Sequence, residues 1–142
     1  MSQNDIIPNI FFTDKNKISE FFFFFLNLLF IILLGNEINS VVGMDATYKF
    51  CKEDLILLAF IAVNKFFLTE VIAICLMNKD KKDNYNFALN SFEKVFQKRP
   101  KIIYIDRHLG QESALKESWD NVTRLYCILH IYHNIQKNIG IF

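Results

Sequence analysis

The sequence predicts an α/β fold: a mixed five-stranded sheet with flanking helices, preceded by an apolar N-terminal helix. Three observations carry this expectation. Between Ser40 and Met77, apolar runs follow one another across short polar breaks. From Asp83 onward, stretches with helical spacing alternate with short apolar or β-branched ones. A hydrophobic share of 52% over 142 residues is ample for one core, and the length is that of a single domain.

The elements follow in order. Residues 1–20 are polar and loosely patterned, and residues 21–34 are apolar apart from Asn27, opening with Phe21 to Phe25. As a helix, residues 21–34 would span roughly 21 Å, short of a bilayer core of about 30 Å. No positively charged lead-in and no cleavage pattern surround this segment, so a buried helix is favoured over a membrane anchor or a signal peptide. The boundary is set at 37/38, with a Phe-rich lead-in at 1–37 and a folded domain at 38–142. Ser40 to Phe50 reads as a strand with Asp45 and Thr47 on one face and Met44, Ala46 and Tyr48 on the other. Leu55 to Val63 and Phe66 to Met77 read as two further strands, joined by a tight turn at Asn64-Lys65.

Asn78 or Asp80 is expected to cap the next helix. That helix spans Asp83 to Lys98, where Tyr85, Ala88, Leu89, Phe92, Val95 and Phe96 recur at helical spacing, and Arg99-Pro100 stops it. Lys101 to Asp106 then reads as a strand, Gly110 to Trp119 as a helix, Val122 to Tyr126 as a strand and Cys127 to Asn138 as a helix. Strands joined by short turns run antiparallel, and those separated by helices run parallel. The resulting order is that of the ribonuclease H-like fold, with the first and fourth strands side by side.

Composition narrows the function classes. A net charge of +1 does not mark a DNA-coating protein, so nucleic-acid contact would rest on local patches. The lysine groups around residues 79–82 and 94–101 read as solvated faces able to make modest phosphate contacts. Cys51, Cys75 and Cys127 are an odd set without framework spacing, which suits a reduced intracellular protein.

Two aspartates carry the chemistry. Asp45 lies in the run Val41 to Lys49, and Asp106 closes Lys101-Ile102-Ile103-Tyr104-Ile105. A carboxylate in or capping a buried strand is costly unless something pairs with it. Taken singly, each reads as a strand-end cap. Placed on neighbouring strands, the two would meet, and converging carboxylates attract a divalent cation. Hard oxygen donors in an open cleft favour Mg²⁺ or Mn²⁺. Cys127 and His130 stand three positions apart. They could share a metal, but no second Cys/His pair completes a zinc site, and packing near the acids is the favoured reading. His108 falls in the loop after Asp106, where a substrate phosphate could pass.

Met44-Asp45-Ala46-Thr47-Tyr48-Lys49 resembles the first catalytic motif of Mutator-like element (MULE) transposases. Lys101 to Asp106, then Ala114, then Leu125 to Asn134 with its Cys-x2-His, is similar to that family's second-aspartate block. The similarity runs from about Val41 to Asn138. It implies a ribonuclease H-like core that cuts and joins DNA strands with Mg²⁺ or Mn²⁺. Asp45 and Asp106 would be its first two acids and metal ligands, and Cys127 and His130 a supporting motif. The family's third acid, a glutamate, lies downstream of a helical insertion, so the resemblance implies a chain cut short of it and inactive alone. Glu112 and Glu117 precede the Cys-x2-His segment and do not match. Transposon-end DNA as partner, a nuclear location and an open question of homo-oligomerisation also follow from the resemblance. The alternatives are a non-catalytic, DNA-associated or interaction module of transposase descent, or a small membrane protein anchored through residues 21–34.

Overall fold

The computed structural model describes residues 12–13, 21–24, 41–49, 55–63 and 69–139. Strands β1 (Phe12–Thr13), β2 (Phe21–Phe24), β3 (Val41–Thr47), β4 (Ile56–Val63) and β5 (Thr69–Met77) come first. Helix α1 (Lys82–Phe96), strand β6 (Ile102–Ile105), helix α2 (Leu109–Ser118), strand β7 (Thr123–Tyr126) and helix α3 (Ile128–Ile139) follow. The sheet order is β1-β2-β5-β4-β3-β6-β7.

Five of these strands, β5-β4-β3-β6-β7, form the mixed sheet expected from the sequence. The β3–β4–β5 meander is antiparallel, while β6 runs parallel to β3 and β7 parallel to β6. The difference lies at the N-terminal end. Phe21–Phe24 form a strand antiparallel to β5, not the start of a helix, and residues 25–34 lie outside the described residues. The physical reason is that consecutive aromatic residues favour extended backbone, and the outer edge of β5 offers a row of unpaired N–H and C=O groups. Among the described residues, no helix is long and apolar enough to cross a membrane.

Alternation decides which face is covered. Val42 and Met44 of β3, Leu58, Phe60 and Ala62 of β4, and Ile103 and Ile105 of β6 are buried on one face. In β5 the register shifts between Phe60 and Ile61, because Phe60 pairs with Ala73 and Ile61 with Val71. The extra residue is Ile72, and this bulge lets Ile72 and Ala73 both be buried before Cys75 and Met77 resume the alternation. Against this face lie Tyr85, Ala88, Leu89 and Phe92 of α1, Ala114 and Leu115 of α2, and Trp119. Phe92 is the hub, with ring centroids 4.9 Å from Phe60, 4.4 Å from Phe96 and 5.5 Å from Trp119. Each such pair adds roughly 0.5–1.5 kcal/mol beyond its buried area.

The helix ends are held differently from the expectation. The N-cap of α1 is Lys81, with no side-chain cap bond. Asn78 instead accepts from the Asn84 side chain, and Asp80 from two tyrosines, so neither caps the helix. The helix stops three residues before Pro100, where Gln97 enters the left-handed region (φ 52°) and donates its N–H to the Glu93 carbonyl. At α2 the cap is His108, whose Nδ1 accepts the Gly110 N–H at 3.2 Å. A Cβ on Gly110 would stand 3.2 Å from the Tyr85 ring and 3.3 Å from His108 Nδ1, so a glycine is what allows this approach.

Candidate acidic cleft

The parallel pairing of β3 and β6 brings the two aspartates together. Their ladder runs from Val41↔Ile102 to Met44↔Ile105. Asp45 and Asp106 each follow the last pair of this ladder, so the two acids stand at the carboxyl ends of neighbouring parallel strands. Ligand sites in open α/β sheets favour this end of the strands.

Both acids open onto a cleft of about 390 Å³ on the sheet face opposite α1 and α2. Gly43 and Tyr104 line it with them, each two residues before its aspartate, and Ile61, the pairing partner of Gly43, forms part of the wall. The period-2 rule applied backwards from the aspartates is the signal that identifies Gly43 and Tyr104. Cys127, Leu129 and His130 close the other side. The Cys127 N–H donates to the Ile105 carbonyl at 3.0 Å, which delivers the start of α3 to the acids.

His130 Nε2 lies 3.9 Å from Asp45 Oδ1, an ion-pair separation when the imidazole is protonated. Its Nδ1 is buried and lacks a hydrogen-bond partner among the described residues. Asp106 Oδ1 accepts the Arg107 N–H at 2.7 Å, leaving Oδ2 for other partners. A second hollow, of about 310 Å³, shares His130 and continues along α3 through His133, Asn134 and Lys137. His108 plays a different part from the one expected. It caps α2 through Nδ1 and meets Asp80 Oδ2 through Nε2 at 3.1 Å, so both ring nitrogens are committed to the fold.

The donor set decides which metal suits the cleft. Two carboxylates in an open, solvent-reached site fit Mg²⁺ or Mn²⁺, which retain several waters and take one or two carboxylates plus substrate phosphate. Structural zinc needs four close ligands. Among the described residues, no group of three or more His, Cys, Asp or Glu side chains is placed to hold a metal ion. Cys127 and His130 line the acidic cleft.

Sheet order, helix placement and paired acids at the carboxyl ends of adjacent parallel strands define an α/β protein whose architecture is consistent with the ribonuclease H-like class. Residues 41–134 match the family model described as MULE transposase domain, which covers about two thirds of the chain, and the chain belongs to that family. A comparison with curated proteins finds no match.

Proposed function

We propose that this domain takes part in metal-dependent DNA strand cleavage and transfer, with Asp45 and Asp106 as the pair that holds Mg²⁺ or Mn²⁺. The observation that supports the reading is that Asp45 and Asp106, each one residue past the β3–β6 ladder, line one cleft. When bound by such acids, the ion supplies charge neutralisation at a phosphodiester and lowers the pKa of a water or 3′-hydroxyl. Asp45 and Asp106 hold and orient. His130, 3.9 Å from Asp45, supplies an N–H towards a substrate phosphate or towards the Asp45 carboxylate. Tyr104 and Ile61 exclude water from one side of the cleft.

A Mn²⁺ titration of the full chain, followed by electron paramagnetic resonance, tests this reading. Weak binding is expected, tightening when a DNA oligonucleotide adds phosphate oxygens to the coordination shell. Asp45→Asn and Asp106→Asn should each abolish both effects while leaving the circular dichroism spectrum unchanged. Mn²⁺ binding that neither variant alters would remove the assigned role.

One observation favours the interaction-module reading. Ile128, Ile131, Tyr132, Ile135 and Ile139 form an apolar stripe at helical spacing along α3, and all five are exposed. On that reading the same titration shows no DNA-dependent tightening.

A further inference from the structure

We propose that Asp80 is a positioning residue that sets the separation of Asp45 and Asp106 by clamping the chain segments that follow them. The proposal rests on the reading of those two acids as the metal-holding pair. Asp80 lies in the loop between β5 and α1, outside the residues that line the cleft. Its Oδ2 accepts the Tyr48 hydroxyl at 2.6 Å and lies 3.1 Å from His108 Nε2, an ion-pair separation when the imidazole is protonated. Tyr48 stands three residues after Asp45, and His108 stands two residues after Asp106. One oxygen atom thus ties together the segments downstream of both acids.

The clamp is rigid on each side. Asp80 Oδ1 accepts the hydroxyl of Tyr85 at 2.7 Å, and Tyr85 is fully buried, which anchors the carboxylate to the interior of α1. The His108 ring cannot turn without losing a contact, since Nδ1 accepts the Gly110 N–H while Nε2 sits 3.1 Å from Asp80 Oδ2. From His108 the constraint reaches Asp106 through two further bonds. The His108 N–H donates to the Asp106 carbonyl at 2.8 Å, and the Arg107 N–H donates to Asp106 Oδ1 at 2.7 Å.

Such a device has a purpose here. The β3–β6 ladder ends at Met44↔Ile105, one residue short of the acids. Asp45 is still held by its pairing with Ala59 of β4, whereas Asp106 lies beyond the end of β6. The ladder alone leaves the position of Asp106 open, and the Asp80 clamp closes it. With a hydroxyl donor on each oxygen and the His108 ring against Oδ2, Asp80 is committed to this role and is not a third metal ligand. Outer partners that orient metal-binding carboxylates typically carry a tenfold to hundredfold share of metal affinity.

Mn²⁺ titration of the full chain by electron paramagnetic resonance, paired with thermal midpoints, tests the proposal on Asp45→Asn, Asp80→Asn, Tyr48→Phe and Tyr85→Phe. Asp80→Asn and Tyr48→Phe are expected to weaken Mn²⁺ binding about tenfold or more. Tyr48→Phe keeps every formal charge, so its effect separates positioning from the loss of a nearby anion, and it decides the matter if Asp80→Asn fails to fold. Tyr85→Phe removes a bond of the same kind from neither acid-bearing segment. It should lower the thermal midpoint and, because it loosens only the anchor of Asp80 on α1 and not the Oδ2 tie between the two segments, cost clearly less Mn²⁺ affinity than Tyr48→Phe. Wild-type affinity in Tyr48→Phe, or an equal loss in Tyr85→Phe, overturns the clamp. Affinity lost in Asp45→Asn but kept in Asp80→Asn and Tyr48→Phe sinks the clamp alone. Affinity unchanged in Asp45→Asn sinks the metal-pair reading and the clamp with it.

Discussion

Tyr48 is half-exposed, yet its phenol is pushed up to about 12. Partial burial is the main cause, and the bond to Asp80 adds to it, because ionising the phenol would set two anions against each other. The hydroxyl of Tyr85 is raised further, first by burial and then by the same carboxylate. The linkage has a definite sign. A group whose folded pKa lies above its unfolded value contributes stability that is fully present below the unfolded value, about 10 for tyrosine, and lost as pH rises through the folded value. Denaturant midpoints should therefore hold steady up to about pH 10 and fall between about pH 10 and 12. In Tyr48→Phe the alkaline fall should be shallower than in wild type, with Tyr85 responsible for what remains. An identical alkaline slope in the two proteins would show that the Tyr48–Asp80 bond is not made in solution.

Elements differ in how much of them the sequence reveals. The strands β3 to β7 and the helices α1 to α3 are legible because apolar runs, helical spacing and short polar breaks mark them directly. The acids are legible because each ends or interrupts such a run, and their shared cleft follows once β3 and β6 are neighbours. The strand at Phe21–Phe24 is not legible, since a run of identical aromatic residues has no period to read and its partner, β5, lies some fifty residues away. The capping arrangement is hidden for a related reason. Asn78 and Asp80 have the side chains of helix caps, but tertiary partners such as Tyr48 and His108 compete for them successfully. Gln97 shows what local rules do predict once the backbone is known. It occupies a left-handed position at the end of α1, where a side chain costs about 1 kcal/mol relative to glycine. Gln97→Gly should raise the urea midpoint by an amount equivalent to about 1 kcal/mol with an unchanged slope. A lower midpoint would mean that the helix ends elsewhere in solution.

The whole molecule divides its labour between the two faces of one sheet. The helix-covered face holds the Phe92 hub and Trp119, while the opposite face at the ends of β3 and β6 holds Asp45 and Asp106. Alternation along the strands keeps the two apart: Met44 and Ile105 point into the core, and the aspartates that follow them point into the cleft. Stability and cation binding should accordingly be separable by mutation. A ligand that binds the folded chain alone stabilises it by about 2.7 kcal/mol at a concentration one hundred times its Kd. Saturating Mn²⁺ should therefore raise the thermal midpoint by several degrees, read from the fluorescence of Trp119, the one tryptophan in the sequence. Phe92→Leu should lower the midpoint of the metal-free chain, since it thins the aromatic hub, yet retain the full Mn²⁺ increment. Asp106→Asn should do the reverse, folding with a midpoint near wild type and gaining nothing from Mn²⁺. If the increment survives Asp106→Asn, the cation binds elsewhere, and the cleft between the first and fourth core strands is not its site.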